Sequence, residues 1–429
     1  MIRRLAAVTL ALLVVGCFGD ATRPSVGVPT LDEQGNDGWI AVSAGREHSC
    51  ALAADGAAWC WGSNEFLQLG VNDDGTSCVR GDRAIPCRRV PTPVNTTLRF
   101  KRISAGGVHT CALADDDVIY CWGDNLRGEL GDPKVRSSAA PVAIVSTARF
   151  FEVAAGGQHS CGLRTDGVGF CWGANDIGQI GNGSQAFGFG APSQLNTALR
   201  FVSIVAGDDR TCARIADGSA YCWGSTWVNR VGGADVTRSQ NTPLRVQTTL
   251  VFSQLSLGNG TTCGIAADNS AHCWEANGSG AMGDGTAAGS LVPQPVRGGH
   301  RFVAIASGAA QTCALADTGN AWCWGAGSRG ELGVSSALLP SRCERGVPCT
   351  TVPLRVSGWR VFTAISGGQG SHNCGLTLGG NVYCWGAGDM GQRGDGRVSR
   401  SEWAPAKTRS PQNVSASVTG ATAFQSLTR

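Results

Sequence analysis

The sequence predicts an all-β protein, a seven-bladed β-propeller with four-stranded blades. Two observations support this fold class. Two cysteines with nine residues between them, followed by Trp, recur seven times, and the first cysteines of the pairs fall at positions 50, 111, 161, 212, 263, 313 and 374. Four short β-type segments accompany each copy, without helical periodicity. A repeat of roughly 50 residues is typical of a solenoid or a propeller, because each copy is one supersecondary unit.

Every repeat follows the same plan. It opens with a short strand marked by an aromatic residue: Trp39, Phe100, Phe150, Phe201, Phe252, Phe302 and Phe362. A Gly-containing turn leads to two strands joined by an Asp-Gly or Asn-type turn, which is a strong hairpin signal. A Trp-Gly exit then leads into a Gly-x-Leu-Gly-like loop. The last strand is expected to start at a proline: Pro91, Pro141, Pro192, Pro243, Pro293, Pro353 or Pro405. Proline is tolerated at strand starts and sheet edges, where its missing N–H has no partner to serve.

The N-terminus is predicted to be a targeting segment. Arg3 and Arg4 precede an apolar stretch, Leu5 to Val15, that is too short to span a bilayer. Val14-Val15-Gly16-Cys17 resembles a bacterial lipobox, with lipidation at Cys17, although an ordinary signal peptide with an incidental cysteine is the alternative. The predicted organisation is a lipoprotein signal peptide at 1–16, a tether at 17–38, the propeller at 39–408 and a tail at 409–429.

The cysteine count agrees with export. The chain has 19 cysteines, and the lipidated Cys17 accounts for the odd one. The other eighteen are predicted to pair as neighbours along the chain: Cys50/Cys60, Cys78/Cys87, Cys111/Cys121, Cys161/Cys171, Cys212/Cys222, Cys263/Cys273, Cys313/Cys323, Cys343/Cys349 and Cys374/Cys384. Facing strands of a hairpin approach closely enough for a disulfide. Metal ligation is the alternative, but Cys-x2-Cys spacing is absent, so we expect disulfides, no metal and no cofactor.

The pattern resembles the regulator of chromosome condensation repeat. The matching residues include Ala155-Gly156-Gly-Gln-His159-Ser-Cys-Gly-Leu163 and Cys171-Trp172-Gly173-Ala-Asn175, and the resemblance covers about residues 39–408. The resemblance implies a seven-bladed propeller, and the cysteines look like those of exported, lipoprotein-type bacterial members. The eukaryotic namesake is a guanine nucleotide exchange factor that binds chromatin. We do not carry that function over, because an exported, disulfide-bonded protein would not meet those partners.

Residues that recur in every blade are interpreted as scaffold. The tryptophan after each second cysteine could stack on a ligand, but its recurrence favours packing between blades. His48, His109, His159 and His372 occupy one repeat position in four successive blades. A metal or proton-relay site is conceivable there, and a turn-bracing hydrogen bond within each blade is the preferred interpretation. Leu67 and Glu275 stand where other copies have Gly, so blades 1 and 5 are expected to depart locally.

Two inserts, in blades 1 and 6, are the most informative departures from the repeat. They are Cys78-VRGDRAIP-Cys87 and Cys343-ERGVP-Cys349, and each precedes the proline strand of its blade. Loops on a rigid scaffold often carry function, and a staple lowers the cost of ordering them. We therefore predict partner-binding residues within or beside the inserts: Arg80, Arg83, Arg88, Arg342 and Arg345. The two loops are expected to frame a cleft over blade 7, although a merely decorative role is the alternative.

The net charge and the absence of known catalytic motifs restrict the possible functions. The net charge is +3, which gives no argument for nucleic acid. No catalytic or phosphate-binding motif is present, so no catalytic residue is predicted.

We expect a non-catalytic, monomeric lipoprotein of a bacterial cell envelope, anchored in the outer membrane on its periplasmic or surface side. Its propeller face would bind a protein or an anionic envelope polymer. The alternatives are a polysaccharide-binding or polysaccharide-acting protein, with Trp227, Phe187 and Phe189 as aromatic candidates, and an inhibitor of an extracytoplasmic enzyme.

Overall fold

Seven antiparallel sheets follow one another along the chain and form the seven blades of a β-propeller, as predicted. The structure is a computed structural model that describes residues 37–225, 230–231, 234–235 and 239–410. Each blade is built around four antiparallel strands, which we call, in chain order, the inner, second, third and outer strands. No helix in these described ranges has both the length and the apolar character needed to cross a membrane.

The strand bounds are similar in all seven blades. The inner strands are Trp39–Ala44, Phe100–Ala105, Phe150–Ala155, Phe201–Ala206, Phe252–Leu257, Phe302–Ser307 and Phe362–Gly367. The second strands are His48–Ala53, His109–Ala114, His159–Arg164, Arg210–Ile215, Thr261–Ala266, Gln311–Ala316 and His372–Thr377. The third strands are Ala58–Ser63, Ile119–Asp124, Gly169–Asn175, Ala220–Ser225, Ala271–Glu275, Ala321–Ala326 and Val382–Gly388. The outer strands are Arg83–Pro93, Ser137–Ala143, Ala186–Gln194, Ser239–Arg245, Ser290–Pro295, Pro348–Arg355 and Ser399–Lys407.

A few short elements decorate this plan. Blades 1 and 6 each carry one additional strand outside the outer strand, Ser77–Arg80 and Ser341–Arg342. Blade 4 carries a small ladder between Arg230–Val231 and Ala234–Asp235. Two 3-10 turns, Ser336–Leu338 and Glu344–Gly346, lie in the loop that precedes the outer strand of blade 6.

The seven prolines predicted to begin the outer strands lie inside those strands instead. Pro141 lies inside Ser137–Ala143, and Pro192 lies inside Ala186–Gln194. Pairing with the third strand therefore starts several residues earlier than the proline. The position is tolerated because the outer strand is the edge of the sheet, where a missing N–H costs no ladder hydrogen bond.

The second and third strands form the disulfide-bonded hairpins. Their register sets the framing cysteines directly opposite each other, as in Cys50–Cys60 and Cys161–Cys171. All seven hairpin disulfides are formed between these opposed pairs, which confirms the predicted pairing within the blades: Cys50–Cys60, Cys111–Cys121, Cys161–Cys171, Cys212–Cys222, Cys263–Cys273, Cys313–Cys323 and Cys374–Cys384. The staple closes a short loop, so its contribution to stability is local to each blade.

The apolar core lies between the blades. Trp122 of blade 2, for example, packs with Leu52, Leu69 and Val94 of blade 1 and with Phe100 of its own blade. The seven repeat tryptophans are all fully buried in this way. Each large ring bridges two sheets, as the prediction of packing between blades requires, and burial of such rings contributes much of the stability of a core.

The ring closes with blade 7 built entirely from its own four successive strands, so within the described residues no strand from the N-terminal end completes it. The strand Ser399–Lys407 pairs with the third strand of blade 7, and the Trp39 amide donates to the Gly380 carbonyl of that blade at 3.1 Å. Lys407 also pairs with Asp37 at 3.3 Å. Blade 7 thus packs on blade 1 as any other neighbour does, and both ends of the ring lie at this junction.

Antiparallel order gives the propeller two distinct faces. The turns after the inner strands and the loops after the third strands lie on one side, since the Ser63 amide donates to Glu47 O at 2.9 Å. We call this side the insert face. The hairpin turns and the links between blades lie on the other side, where the Phe100 amide donates to Gly56 O at 2.9 Å. We call that side the link face, and Asp37 enters the ring there.

Candidate functional site

The insert of blade 1 is an ordered hairpin. Its two arms are the additional strand Ser77–Arg80 and the start of the outer strand, and Gly81 takes a φ of 60° in the turn between them. The Cys78–Cys87 disulfide joins the arms. Cys78, Ile85 and Cys87 pack on Met390, which belongs to the loop of blade 7. The hairpin therefore lies over the neighbouring blade and is fixed there by an apolar contact.

The arginines of this hairpin are paired with acids of the same blade. Arg80 forms ion pairs with Glu47 and with Glu65, the latter at 3.4 Å, and Arg83 pairs with Glu65 at 3.2 Å. Arg88 is buried, where its guanidinium pairs with Asp74 at 2.9 Å and donates to the Asn72 carbonyl at 2.9 Å. Arg88 therefore braces the loop from within. Arg80 and Arg83 form surface ion pairs, and their side chains remain 42% and 76% exposed.

A cleft of about 470 Å³ lies between this hairpin and blade 7. Val79, Arg80 and Gly81 form one side of it. Asp389, Val398 and Ser399 of blade 7, with Arg329 of blade 6, form the other side. Val79 is 67% exposed and Val398 is 40% exposed. Arg329 pairs with Asp389 at 2.6 Å. The cleft thus combines two exposed apolar side chains with charges that already have partners.

The insert of blade 6 is not part of this cleft. The Cys343–Cys349 disulfide staples it, but the Glu344 amide donates to the Gly278 carbonyl of blade 5 at 3.1 Å. Arg342 is exposed, and the side chain of Arg345 lies outside what the structure describes. Each insert leans over the preceding blade in the ring. The expectation that both loops frame a cleft over blade 7 is therefore wrong for blade 6 and holds for blade 1.

The four repeat histidines join adjacent blades, which corrects the predicted contact within a blade. His372, His48, His109 and His159 approach the hydroxyls of Ser49, Thr110, Ser160 and Thr211 in the next blade through Nε2, at 2.7–2.9 Å. Each of those hydroxyls donates to a loop carbonyl, as Ser49 does to Gln392 O at 2.9 Å. Because the hydroxyl proton is used there, the imidazole must be the donor, and the Nε2–H tautomer is assigned.

Burial keeps these imidazoles neutral. All four are fully buried, and their Nδ1 atoms have no hydrogen-bond partner within the described part of the chain. Burial lowers the pKa of His48, His109 and His372 to about 3 and that of His159 to about 4. A proton on Nδ1 would be buried without an acceptor, which opposes charging of the ring. The histidines are structural links rather than a proton relay.

The junction of blades 4 and 5 uses a different contact, which the sequence analysis missed. Arg210 stands at the histidine position and forms a buried ion pair with Glu275, which also accepts from the Thr262 hydroxyl at 2.6 Å. Glu275 has a φ of 81° and Leu67 a φ of 64°. Both residues keep the left-handed backbone of the glycines that they replace, so the expected local departure of the backbone does not occur. The paired replacement of His and Gly in one junction was the signal available in the sequence.

The central channel is narrow and closed at the insert face. The inner strands of all seven blades line a cavity of about 260 Å³. Gln369 of blade 7 crosses the channel mouth, where its Nε2 approaches Gly207 O of blade 4 at 3.3 Å and Ala155 O of blade 3 at 3.5 Å. Arg46 of blade 1 pairs with Asp208 of blade 4 across the same mouth. The channel therefore offers no open path for a large ligand from this face.

Two buried carboxyl groups bear on the enzyme alternative. Burial raises the pKa of Glu129 and of Glu331 to about 7. Each occupies the same loop position in its blade and accepts a backbone N–H, from Arg127 at 2.9 Å and Arg329 at 2.7 Å. They lie in different blades, 2 and 6, and each is buried in its own loop. We interpret them as groups that brace these loops. Within the described residues, no group of three or more His, Cys, Asp or Glu side chains could hold a metal.

The aromatic candidates for polysaccharide binding separate in the structure. Phe187 is 67% exposed, and the Arg127 guanidinium lies 3.9 Å from its ring centre. Phe189 packs against the core of blades 3 and 4. Trp227 and the predicted lipidation site Cys17 lie outside the described residues. Of the two predicted aromatic candidates that the structure describes, only Phe187 is exposed, and the structure does not bring the two rings into one exposed groove.

Two family models match the chain, and both describe the regulator of chromosome condensation (RCC1) repeat. One matches residues 39–68, 100–129, 152–179, 302–331 and 362–392. The other matches residues 55–113, 116–163 and 166–214. Together the two models cover more than half of the chain.

Curated relatives share only part of their length with this chain. A probable E3 ubiquitin-protein ligase of Homo sapiens, HERC3, is 36% identical over 120 residues, which are 27% of this chain and 11% of the human protein. The mitochondrial RCC1 domain-containing protein RUG3 of Arabidopsis thaliana is 31% identical over 96 residues, 22% of this chain and 20% of the plant protein. The chain thus spans a fifth or less of these relatives, and the similarity concerns their repeats.

Solved structures share the fold. Prp20p of Saccharomyces cerevisiae, a structure described with its binding properties to Gsp1p and histones, aligns with a TM-score of 0.71 over 88% of this chain and 89% of the yeast chain, at 18% identity. Yeast RCC1 (Prp20) bound to Kap60 aligns equally well over 82% and 84% of the two chains, also at 18% identity. Human WBSCR16 aligns with a TM-score of 0.66 over 77% and 85%, at 20% identity. At these identities the likeness establishes the propeller fold alone.

Proposed function

The chain belongs to the regulator of chromosome condensation (RCC1) repeat family, and from this membership we propose that it is a non-catalytic binding propeller. In this proposal a lipid on Cys17 anchors a monomer to a bacterial cell envelope, in the outer membrane. The insert face binds a protein or another macromolecule, without a cofactor, a metal or nucleic acid. Two yeast structures with this fold are described together with protein partners, which supports binding as the kind of activity.

The cleft over blade 7 is the observation that carries the proposal. The repeated residues are engaged in holding blades together: the four histidines and their hydroxyl partners form hydrogen bonds across the junctions, and the seven tryptophans are buried between blades. What distinguishes the surface is the stapled hairpin of blade 1 and the exposed Val79 and Val398 beside it. A rigid loop loses little conformational entropy on binding, so its apolar tip is suited to recognition.

The internal ion pairs favour a protein over an anionic polymer as the partner. Arg80 and Arg83 are held by Glu47 and Glu65, so the hairpin offers no strong excess of positive charge. A polymer read by charge would need unpaired cations and would bind with strong salt dependence. Inhibition of an extracytoplasmic enzyme is one form that protein binding could take. Polysaccharide binding at Phe187 is the second candidate, because that ring is exposed.

Site-specific photo-crosslinking in the native envelope tests the proposal. A photoreactive amino acid at Val79 or Val398 should give discrete adducts with a partner protein. The matched control is the same amino acid at Leu378, an exposed apolar position on the link face. A third position, Phe187, tests the polysaccharide alternative. Adducts from Leu378 as readily as from Val79, or from neither cleft position, would contradict binding at the insert face.

A further inference from the structure

The outer edge of the strand Ser77–Arg80 has no strand partner within the described part of the chain. The sheet order of blade 1 places this strand last, outside the outer strand. One of its edges pairs with the outer strand from Arg83 to Pro86, and the other borders the cleft over blade 7. An unpaired edge presents N–H and C=O groups that can pair with another chain.

The register identifies which backbone groups point outward. Arg80 lies opposite Arg83 across a two-residue turn, so these two residues form the closing hydrogen-bonded pair of the hairpin. Hydrogen-bonded and non-hydrogen-bonded pairs alternate along antiparallel strands. Val79, opposite Ala84, is therefore in a non-hydrogen-bonded pair. Its N–H and C=O point away from the hairpin. The other outward carbonyl of this strand, that of Ser77, already accepts from the Arg89 guanidinium at 3.0 Å, so Val79 carries the open backbone groups of the edge.

Other outer strands protect their edges with proline. Prolines lie in the outermost strands of blades 2, 3, 4, 5 and 7: Pro141, Pro192, Pro243, Pro293 and Pro405. Proline on an edge strand removes a donor and discourages pairing. In blade 1 the additional strand pairs with the start of the outer strand, before Pro91, and its own sequence, Ser-Cys-Val-Arg, has no proline. The corresponding strand of blade 6, Ser341–Arg342, has two residues and follows Pro340.

The opposite wall of the cleft is suited to an inserted strand. It is formed by Val398 and Ser399, at the start of the outer strand of blade 7, and both valines on the two walls are exposed. The volume of about 470 Å³ lies within the usual range of ligand pockets, about 300–1,000 Å³. The charged groups beside it are already paired, Arg329 with Asp389 and Arg80 with Glu47. Recognition here would rest on backbone hydrogen bonds and apolar contact more than on charge.

We propose that an extended segment of a partner protein adds as a strand to the free edge of Ser77–Arg80. This inference rests on the proposed function and names the chemistry by which its site selects a partner. The added strand accepts from the Val79 N–H and donates to the Val79 C=O. It presents an apolar side chain to Val79 and Val398, and it has no proline at the paired position. Main-chain bonds supply affinity and the apolar contacts supply preference, as in other cases of strand addition.

The test uses the whole exported chain and a phage library of random peptides of about ten residues, longer than an average strand. Peptides selected on the wild-type protein are measured on Val79→Pro and on Val79→Thr. Proline removes only the outward N–H, and an edge strand tolerates it. Threonine keeps that N–H and the branched shape. We expect selected peptides to lose affinity by about tenfold or more on Val79→Pro and to keep it within about threefold on Val79→Thr.

Fold integrity is checked by the mass of the nine-disulfide protein and by its thermal unfolding midpoint. Should Val79→Pro not fold, Val398→Asp replaces it, since it places a charge on the apolar wall outside the hairpin. Failure to select any peptide, or equal binding to wild type and Val79→Pro, overturns strand addition. In that case photo-crosslinks from Val79 to a partner would still be expected if the partner binds through a folded surface instead of an extended segment. The two proposals can therefore fail separately.

Discussion

At the scale of single residues, one hydrogen-bonded chain recurs at most blade junctions. A histidine in one blade donates to a hydroxyl in the next, and the hydroxyl donates to a loop carbonyl of the first blade. At three of the four histidine junctions the repeat tryptophan donates to the same carbonyl, as Trp172 does to Glu129 O at 2.8 Å. At the fourth, the Trp122 indole N–H has no hydrogen-bond partner within the described residues. Three side chains and one carbonyl therefore hold three of these junctions, in surroundings where an unmade hydrogen bond is costly.

This network predicts a loss of stability in weak acid. The four buried histidines titrate near pH 3–4 when folded and near 6.5 when unfolded. Below pH 6.5 the unfolded chain takes up protons that the folded protein does not bind. The free energy of unfolding therefore falls as pH falls through this window, by up to about 1.4 kcal/mol per pH unit for each histidine.

The variant His109→Gln isolates one such contribution. Glutamine occupies this position in blade 6, where Gln311 donates to the Gly370 carbonyl at 3.1 Å. Guanidinium unfolding with disulfides intact, at several pH values between about 4 and 7, should give a pH slope smaller by about 1.4 kcal/mol per pH unit than in wild type. His300→Gln, at a partly exposed ring, is the control and should change the slope less. Equal slopes for His109→Gln and wild type would mean that this imidazole charges freely in the folded state.

At the scale of the blade, different side-chain contacts hold different junctions while the backbone conformation stays the same. The junction of blades 4 and 5 replaces the histidine contact with the Arg210–Glu275 ion pair, and both side chains are nearly inaccessible to solvent. Removing one partner of a buried ion pair leaves an uncompensated charge, whereas replacing both together can be neutral. The two positions should therefore behave as a coupled unit.

A double-mutant cycle at this junction tests that coupling. Arg210→His alone should destabilise the protein by about 3–5 kcal/mol, because Glu275 remains buried without its cation. Adding Glu275→Gly restores the pair of residues found at other junctions and removes a charged side chain from a positive φ, so most of the loss should be recovered. Denaturant unfolding of the wild type, both single variants and the double variant gives the coupling energy. A double variant no more stable than Arg210→His would show that the two positions act independently.

At the scale of the whole molecule, ring closure brings the two ends of the propeller together on the link face. The ends of the described ring meet at the junction of blades 7 and 1, where Lys407 pairs with Asp37 on the link face. Asp37, the first described residue, therefore lies on the side opposite the inserts.

The predicted anchor is tested at Cys17. In the native host, Cys17→Ser should shift the protein from the detergent phase to the aqueous phase or block its maturation, because a lipid chain contributes about 0.8 kcal/mol per buried CH₂ to membrane binding. Cys78→Ser, which breaks the staple of the insert, is a control for the loss of a cysteine as such. Unchanged partitioning of Cys17→Ser would remove the lipoprotein interpretation and leave the binding proposal standing.

Much of the candidate site could not be predicted, for a physical reason. The staple Cys78–Cys87 and the position of the hairpin before the outer strand follow from neighbours in the sequence. Two other contacts depend on residues that only the folded ring brings together. Arg80 pairs with Glu47, and Cys78 packs on Met390 of blade 7. The binding role predicted for these arginines stays a prediction, and the structure adds the acidic neighbours that share their charge.

The sequence by itself determined the blade, because every contact that defines a blade is local. The pair Cys50 and Cys60 is ten positions apart, and the turn residues and alternating strands lie within one repeat. Tertiary structure alone decided the junctions, since their partners are distant along the chain: His48 meets Thr110 in the next repeat, and His372 meets Ser49 from the opposite end of the ring. Local patterns specify strands and turns, but a contact across a junction exists only once the ring has closed, and closure also places the free edge of Ser77–Arg80 beside blade 7.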